Sequence, residues 1–134
     1  MSTATTQYSV AYLGPRGSFA EAAVLAWPGS ADAELLPSTS VPAALEAVRG
    51  DAVDHALVPI ENSVEGSVSA TLDELGSGRR LVIVDEVVLP VQFSLLVRPG
   101  TTLDQVSRVA THPHAQAQVR RWLAEHLPEA SVIP

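Results

Sequence analysis

The chain of 134 residues contains no cysteine and no lysine, and only 4% of its residues are aromatic. Without cysteine, neither a disulfide framework nor a thiolate zinc site can form, which favours an intracellular protein, and we expect a cytoplasmic location. All eight basic residues are arginines and the formal net charge is -7, with no basic run longer than Arg79-Arg80 or Arg120-Arg121. This balance disfavours nucleic acid as a partner, and the two pairs are interpreted as solvated surface residues.

Long apolar runs are also missing. Residues 1–7 are polar, carry no basic residue and precede no apolar run of signal-peptide length, so we expect a flexible tail and no secretion. The most apolar stretch, residues 81–97, is interrupted by Asp85, Glu86 and Pro90 and falls short of the roughly 20 apolar residues that cross a membrane. We therefore expect a soluble protein without membrane contacts, whose 46% hydrophobic content can form one compact core.

Short apolar runs alternate with helical patterns along the chain, and this alternation predicts an α/β fold with a mostly parallel sheet. The predicted strands are Tyr8–Leu13, Ala33–Leu36, Ala56–Ile60, Leu81–Leu89, Val91–Val97, Val106–Ala110 and Ser131–Ile133. The predicted helices are Phe19–Trp27, Pro42–Val48, Ser67–Leu75 and Pro113–Leu127. In the third helix the spacing places Val68, Leu72 and Leu75 on one apolar face.

Pro90 cannot donate a hydrogen bond to a sheet, so it marks a break inside the apolar stretch 81–97. We interpret this stretch as a hinge between a first lobe, about residues 8–88, and the beginning of a second lobe, about residues 89–134. The second lobe shows no helix after its last predicted strand, so we expect an exposed sheet edge and apolar helix faces. Such surfaces predict self-association into a homo-oligomer, including by exchange of segments between chains.

Ligands of open α/β sheets bind beyond the carboxyl ends of the strands, so the loops between a strand and the next helix are where a site is expected. The first such loop, residues 14–18, has two glycines that allow a close approach of the backbone. Ser18 and Glu21 have the spacing of a helix capping box. The loop is either a well-formed helix start or, through the free amides of that helix, a site for an anion.

The second loop, residues 59–68, has an unusual density of polar residues directly after a strand. Asn62 and Ser63 can bind a carboxylate or a hydroxyl, and Glu61 can bind a hydroxyl. Alternatively, Asn62 and Ser63 only stabilise the turn and the carboxylates face solvent.

The third loop places His112 directly before Pro113, a favoured first residue of a helix, and His112 can form hydrogen bonds or transfer a proton. His112 and His114 do not share a helix face and no third ligand has matching spacing, so we expect no metal site. His55 and His126 are interpreted as ordinary surface or structural residues. The sequence contains no nucleophile elbow, Walker loop or dinucleotide-binding glycine loop, which excludes those enzyme classes.

Together the three loops resemble the motifs of the prephenate dehydratase family, and the resemblance covers the chain from Tyr8 onward. The matching segments are Ala11–Phe19, Val58–Ser63, Glu65–Val68, Thr71–Leu75 and Thr111–Pro113 with Ala115–Gln116. Thr111 and His114 stand where the family usually has serine and glutamine, which weakens any role for position 114.

The resemblance implies a two-lobed fold of the type II periplasmic-binding-protein kind, with the substrate in a cleft between the lobes. It also implies conversion of prephenate to phenylpyruvate, with loss of carbon dioxide and water, in L-phenylalanine biosynthesis and without a cofactor. The substrate-binding residues that it implies are Gly17, Ser18, Phe19, Glu61, Asn62, Ser63, Gly66 and His112. The family's catalytic threonine, in a Thr-Arg-Phe motif, and its ACT domain would lie beyond Pro134, so we expect a fragment with little or no activity.

Two other functions stay open. One is a related prephenate decarboxylase, which releases carbon dioxide without forming an aromatic ring. The intact Glu61-Asn62-Ser63 favours the dehydratase, because those relatives tend to depart from this motif. The other is a non-catalytic module that binds small anions, since strand-end loops and helix N-termini suit anions in general.

Overall fold

The computed structural model describes residues 8–134, and the flexible tail expected for residues 1–7 lies outside them. The predicted α/β class with parallel sheets is confirmed. The chain divides into two compact units, of which the first ends at Pro90 and the second comprises Val91–Pro134. Within residues 8–134, no helix is both long enough and apolar enough to cross a membrane.

The first unit contains a parallel sheet of three strands in the order β2-β1-β3. Its strands are β1 (Ser9–Leu13), β2 (Glu34–Ser38) and β3 (His55–Leu57), and its main helices are α1 (Phe19–Ala26) and α2 (Val41–Arg49). A short antiparallel hairpin follows, with strands β4 (Glu61–Asn62) and β5 (Gly66–Ser67), and leads into helix α3 (Ser69–Leu75). The sequence predicted the larger elements to within a few residues but did not predict the hairpin.

Strand β1 is the centre of this unit, and its alternating side chains form two cores. Val10 and Tyr12 are fully buried on one face, where they pack with Val24 of α1. Ala11 faces the other way and packs with Ala44 of α2. The sheet is therefore covered by one helix on each face, as expected for parallel strands joined by helices.

The second unit contains a strand-helix-strand motif, with β6 (Arg108–Ala110), α4 (Pro113–His126) and β7 (Ser131–Ile133). The two strands pair in parallel, with Val109 opposite Val132. Leu123 is buried within α4. All three elements were predicted from the sequence with bounds close to these.

Residues 81–97 differ most from the prediction, since the two strands expected there, Leu81–Leu89 and Val91–Val97, are absent from the described structure. Residues that favour strands do so mainly because their side chains pack against those of a neighbouring strand. Within residues 8–134, no strand pairs with this segment. Its aliphatic side chains are left in solvent, with Val82 76% and Val88 85% exposed. Asp85 is held, because the indole N–H of Trp27 donates to its carboxylate at 2.8 Å.

The sequence places Val68, Leu72 and Leu75 on one apolar face of helix α3, but the most buried side chain of the helix lies outside this set. Leu72 is 46% exposed, whereas Thr71 beside it is 1% exposed. The orientation follows from a hydrogen bond, because the Thr71 hydroxyl donates to the carbonyl of Pro59 at 2.6 Å. Apolar spacing alone does not show that a polar side chain forms the inner face.

Arg49 joins α2 to the end of α3, which the sequence did not indicate. Its guanidinium has five N–H groups and all five have acceptors. The acceptors are the carboxylates of Glu46 and Glu74 and the carbonyls of Glu74, Ser77 and Arg79. Gly78 lies against this group, since a Cβ there would be 3.3 Å from the guanidinium carbon.

We expect the purified chain to self-associate, because Val82, Val84 and Val88 together present an exposed apolar surface. Sedimentation velocity at high concentration should show dimers or larger species. The double variant Val82→Glu/Val84→Glu should shift them toward monomer, whereas Leu25→Glu, at a residue 65% exposed on α1, should not. A wild-type chain that sediments as a clean monomer would contradict this prediction.

Candidate functional site

The carboxyl ends of β1 and β3 form the edge where a site is expected in the first unit. The chain places β2 on one side of β1 and then crosses to place β3 on the other side. Ligands in open α/β sheets bind at such a switch, outside the carboxyl ends of the two strands. Two of the three predicted loops follow this edge, residues 14–18 after β1 and residues 59–68 after β3. Gly17–Phe19 and Glu61–Ser63 therefore both follow the same end of the sheet.

In the first loop, Ser18 caps α1 as predicted, but the returning bond goes to a different residue. The Ser18 hydroxyl accepts the backbone N–H of Glu21 at 3.2 Å. The Glu21 carboxylate accepts the N–H of Gly17 at 2.6 Å, where the capping-box prediction had the N–H of Ser18. The reason lies in Tyr12, whose buried hydroxyl donates to the same carboxylate at 2.8 Å and holds it over Gly17.

This network leaves the start of α1 less open to an anion than the sequence suggested. The hydrogen bonds from the Gly17 amide and then from Tyr12 lower the pKa of Glu21, so its carboxylate is charged at neutral pH. Burial raises the pKa of the Tyr12 hydroxyl, and the bond to Glu21 raises it further. The Gly17 N–H is thus already bonded to a negatively charged carboxylate, which also partly neutralises the positive end of the helix dipole. The Ser18 hydroxyl is also engaged, since it donates weakly to the carbonyl of Leu13 at 3.3 Å.

The stability contributed by Glu21 is expected to depend on pH. Its folded-state pKa is lowered, so the contribution is present above the unfolded-state pKa and is lost as the pH falls through the folded-state value. Glu21→Gln should therefore lower the midpoint of thermal unfolding by several degrees at neutral pH and have little effect in acid. Thermal melts across this range measure the difference, with Glu34→Gln at an exposed residue of β2 as control. An unchanged difference in acid would contradict the assignment.

The second loop is the β4–β5 hairpin, and Asn62 shapes it. The side-chain carbonyl of Asn62 accepts the backbone N–H of Val64 at 3.1 Å and that of Glu65 at 2.7 Å. Its amide N–H donates to the Glu65 carboxylate at 3.3 Å. Gly66 completes the turn with φ of +79°, a value that favours glycine. Asn62 therefore stabilises the turn, as one of the two interpretations of the sequence held, and has one amide hydrogen left for a ligand.

The neighbours of Asn62 are the groups that the hairpin presents to solvent. Glu61 and Ser63 are both exposed. Within the described residues, neither side chain forms a hydrogen bond or an ion pair with the protein. A hydroxyl that both donates and accepts thus lies beside a carboxylate that only accepts, which suits a ligand with both carboxylate and hydroxyl groups.

His112 belongs to the second unit, where it caps α4. Its Nδ1 accepts the backbone N–H of His114 at 3.3 Å, so in the neutral imidazole the other ring nitrogen carries the proton and can donate it. The rings of His112 and His114 stack at 5.1 Å, although their spacing predicted different directions. The prediction assumed that both residues are helical, whereas His112 has an extended backbone before the helix. Within residues 8–134, no group of three or more metal-ligating side chains occurs.

A cavity of about 380 Å³ lies at the carboxyl ends of β1 and β2. It is lined by Gly14, Pro15, Arg16, Pro37, Ser38 and Thr39. Gly14, Pro15 and Arg16 belong to the first predicted loop, but none of the six is among the substrate-binding residues that the resemblance implies. They could not be grouped from the sequence, because the pairing of β2 with β1 is a property of the sheet order.

The fold and the two strand-end loops define an α/β protein with polar loops at the carboxyl edge of a parallel sheet, which is where open α/β sheets bind ligands. A family profile described as prephenate dehydratase matches residues 10–134. The chain belongs to the prephenate dehydratase family. This confirms the resemblance drawn from the motifs of the three loops.

Individual relatives agree with this assignment. The prephenate dehydratase of Mycobacterium sp. (strain JLS) is 52% identical over 135 residues, which are 93% of this chain and 42% of that protein. The prephenate dehydratase of Amycolatopsis methanolica is 48% identical over 92% of this chain and 40% of that protein. The crystal structure of the Arthrobacter aurescens prephenate dehydratase in complex with L-Phe has a TM-score of 0.81 and 50% identity, covering 94% of this chain and 41% of that one. The chain thus spans about two fifths of the length of these relatives.

Proposed function

We propose that this chain forms part of the prephenate-binding site of a protein that converts prephenate to phenylpyruvate. The observation that supports the proposal is that the loops containing Gly17–Phe19 and Glu61–Ser63 both leave the same end of the sheet, in a chain that belongs to this family. Prephenate has two carboxylates and a ring hydroxyl, and the exposed side chains of the hairpin offer partners for both kinds of group.

The reaction requires a substrate held in a fixed orientation and one proton donor. The C–O bond to the ring hydroxyl breaks as that oxygen is protonated, the ring carboxylate leaves as carbon dioxide, and the electrons of its C–C bond complete the aromatic ring. A general acid lowers the barrier by protonating the departing hydroxyl. The sequence has no Thr-Arg-Phe motif, to which the family resemblance assigns this acid, so we assign the residues of this chain to holding the substrate.

Each predicted residue then has a proposed role. Ser63 donates to a carboxylate or to the ring hydroxyl, Glu61 accepts from that hydroxyl, and Asn62 uses its remaining amide hydrogen. The family resemblance adds His112, whose ring N–H can donate a hydrogen bond. Gly17, Ser18 and Phe19 form the loop end and the start of α1, and Gly66 forms the bend of the hairpin.

We also propose the two-lobed fold of the type II periplasmic-binding-protein kind. The division of the chain near Pro90 into two compact α/β units supports this proposal, as does the fold shared with the Arthrobacter aurescens enzyme. In this fold the first unit is the first lobe and Val91–Pro134 is part of the second.

Calorimetry tests the proposed binding. Prephenate should bind at least about tenfold more tightly than unrelated dicarboxylates, because the hydroxyl and both carboxylates have partners. Ser63→Ala should weaken prephenate binding about fivefold, the loss expected for one hydrogen bond. Ser67→Ala is the matched control, since Ser67 is an exposed serine of the same hairpin outside the predicted set. Equal affinities for all dicarboxylates would instead indicate a general module for small anions.

A further inference from the structure

The start of α3 is attached to the chain just before the Glu61–Ser63 turn by two hydrogen bonds. The backbone N–H of Val68 donates to the carbonyl of Ile60 at 2.8 Å. The Thr71 hydroxyl donates to the carbonyl of Pro59 at 2.6 Å. Each carbonyl belongs to a planar peptide unit, so fixing two consecutive carbonyls fixes the direction in which the chain enters Glu61.

Thr71 is the buried member of this pair of contacts. It is 1% exposed, on a helix whose other residues are half-buried or exposed. A threonine inside a helix commonly bonds back to a carbonyl of its own preceding turn. Here the hydroxyl instead reaches a residue 12 positions earlier, beyond the end of β3. Its contact is tertiary, and it joins the helix to the loop that presents the predicted binding residues.

Helix α3 is also held at its other end. Arg49 donates to the carbonyls of Glu74 and Ser77, which belong to the last turn of α3 and the residues after it. Arg49 itself is buried at the end of α2, which packs on the sheet. A helix fixed at both ends cannot slide along its axis, so the position of Thr71 relative to the sheet is fixed as well.

We propose that Thr71 is a positioning residue, which holds the Glu61–Ser63 turn in the orientation that binds substrate without touching the substrate itself. This inference rests on the proposed function, in which that turn binds prephenate. Asn62 holds the residues after the turn, through the N–H groups of Val64 and Glu65. Thr71 and Val68 hold the residues before it, through the carbonyls of Pro59 and Ile60, so the loss of Thr71 loosens only the chain that enters the turn.

The test compares Thr71→Val, which keeps the size of the side chain and removes the hydroxyl, with Thr71→Ser, which keeps the hydroxyl. Amide hydrogen exchange at Val68 reports the attachment of the turn, exchange at Ala11 in the central strand reports global stability, and calorimetry reports prephenate affinity. Thr71→Val should speed exchange at Val68 about tenfold more than at Ala11 and weaken prephenate binding about tenfold, the effect of one buried hydrogen bond. Thr71→Ser should restore both quantities toward wild type.

Three results would overturn the inference. Equal acceleration at Val68 and Ala11 in Thr71→Val would show that Thr71 only stabilises the fold. A turn that loosens while prephenate affinity is unchanged would show that its orientation does not matter for binding, and this result leaves the proposed function intact. A wild-type chain that binds no prephenate would contradict the proposed function and, with it, the role given to Thr71.

Discussion

Replacing Arg49 with methionine is expected to lower the thermal midpoint of the first unit by roughly 10 °C, because several hydrogen bonds of a buried guanidinium are lost from a small domain. Methionine retains most of the side-chain volume but donates no hydrogen bonds. The carbonyls of Glu74, Ser77 and Arg79 would lose their donor, and the end of α3 would be released from α2. Lysine, with three donors on one nitrogen, is expected to recover only part of the loss.

Fluorescence of Trp27 measures this change, because Trp27 packs against the core of the first unit and Trp122 belongs to the second. The comparison is best made with Trp122→Phe present throughout, so that one indole emits. Arg79→Met is the matched control. Arg79 is 60% exposed and paired with an exposed Asp51, so its loss should change the midpoint by less than about 2 °C. Similar shifts for the two arginines would contradict the role given to Arg49.

Asn62→Asp is expected to weaken prephenate binding about 30-fold while keeping the two backbone hydrogen bonds that close the hairpin, and it replaces the bond to the Glu65 carboxylate with a repulsion between like charges. An aspartate oxygen can accept the N–H groups of Val64 and Glu65 as the asparagine carbonyl does. The change replaces the amide donor with a negative charge, and a like charge a few ångströms from a bound carboxylate costs about 1–4 kcal/mol at effective dielectric constants between those of water and a protein surface.

Calorimetry with prephenate and thermal melts of the same samples separate binding from folding. Ala52→Asp adds the same charge in the turn before β3, at the opposite end of the strands, and should leave prephenate affinity nearly unchanged. Asn62→Ala should lower both affinity and stability, because it removes the acceptor of two backbone amides. Unchanged affinity in Asn62→Asp would mean that Asn62 serves the turn alone.

The elements whose apolar pattern coincides with strong end signals were predictable from the sequence. Strand β1 is an apolar run closed by Gly14-Pro15, and α1 begins at a serine cap. Helix α4 begins at Pro113 after a histidine cap and continues for 14 residues. In each case the local preference and the final packing agree, so local reasoning was sufficient.

The failures are places where a distant partner decides the structure. Residues 81–97 have the composition of strands, but a strand requires a neighbour that composition does not supply. Arg49 looks like an ordinary basic residue at the end of a helix, and its acceptors lie up to 30 positions away. The inner face of α3 depends on Pro59, which no helical periodicity includes.

The sequence predicted which loops form the candidate site, but it did not predict the hydrogen bonds within them. Sequence spacing identified the loops that contain Gly17 and Asn62, and the family resemblance named their residues. The sequence did not show that the Glu21 carboxylate accepts the Gly17 N–H, or that the Asn62 side chain accepts the N–H groups of its own turn. Each of these hydrogen bonds depends on a backbone direction that the fold determines. Glu61 and Ser63 are therefore the stronger candidates for binding a ligand, because their side chains are exposed.

The hairpin around Asn62 is closed by bonds within the protein before any ligand arrives, and this has a consequence for the rate of binding. A loop that is already shaped adds little ordering cost, so diffusion and long-range charge should govern how fast prephenate associates. The chain has a formal net charge of -7 and prephenate is a dianion, so the two should repel each other as they approach. Added salt screens this repulsion, and association should become faster as the ionic strength rises.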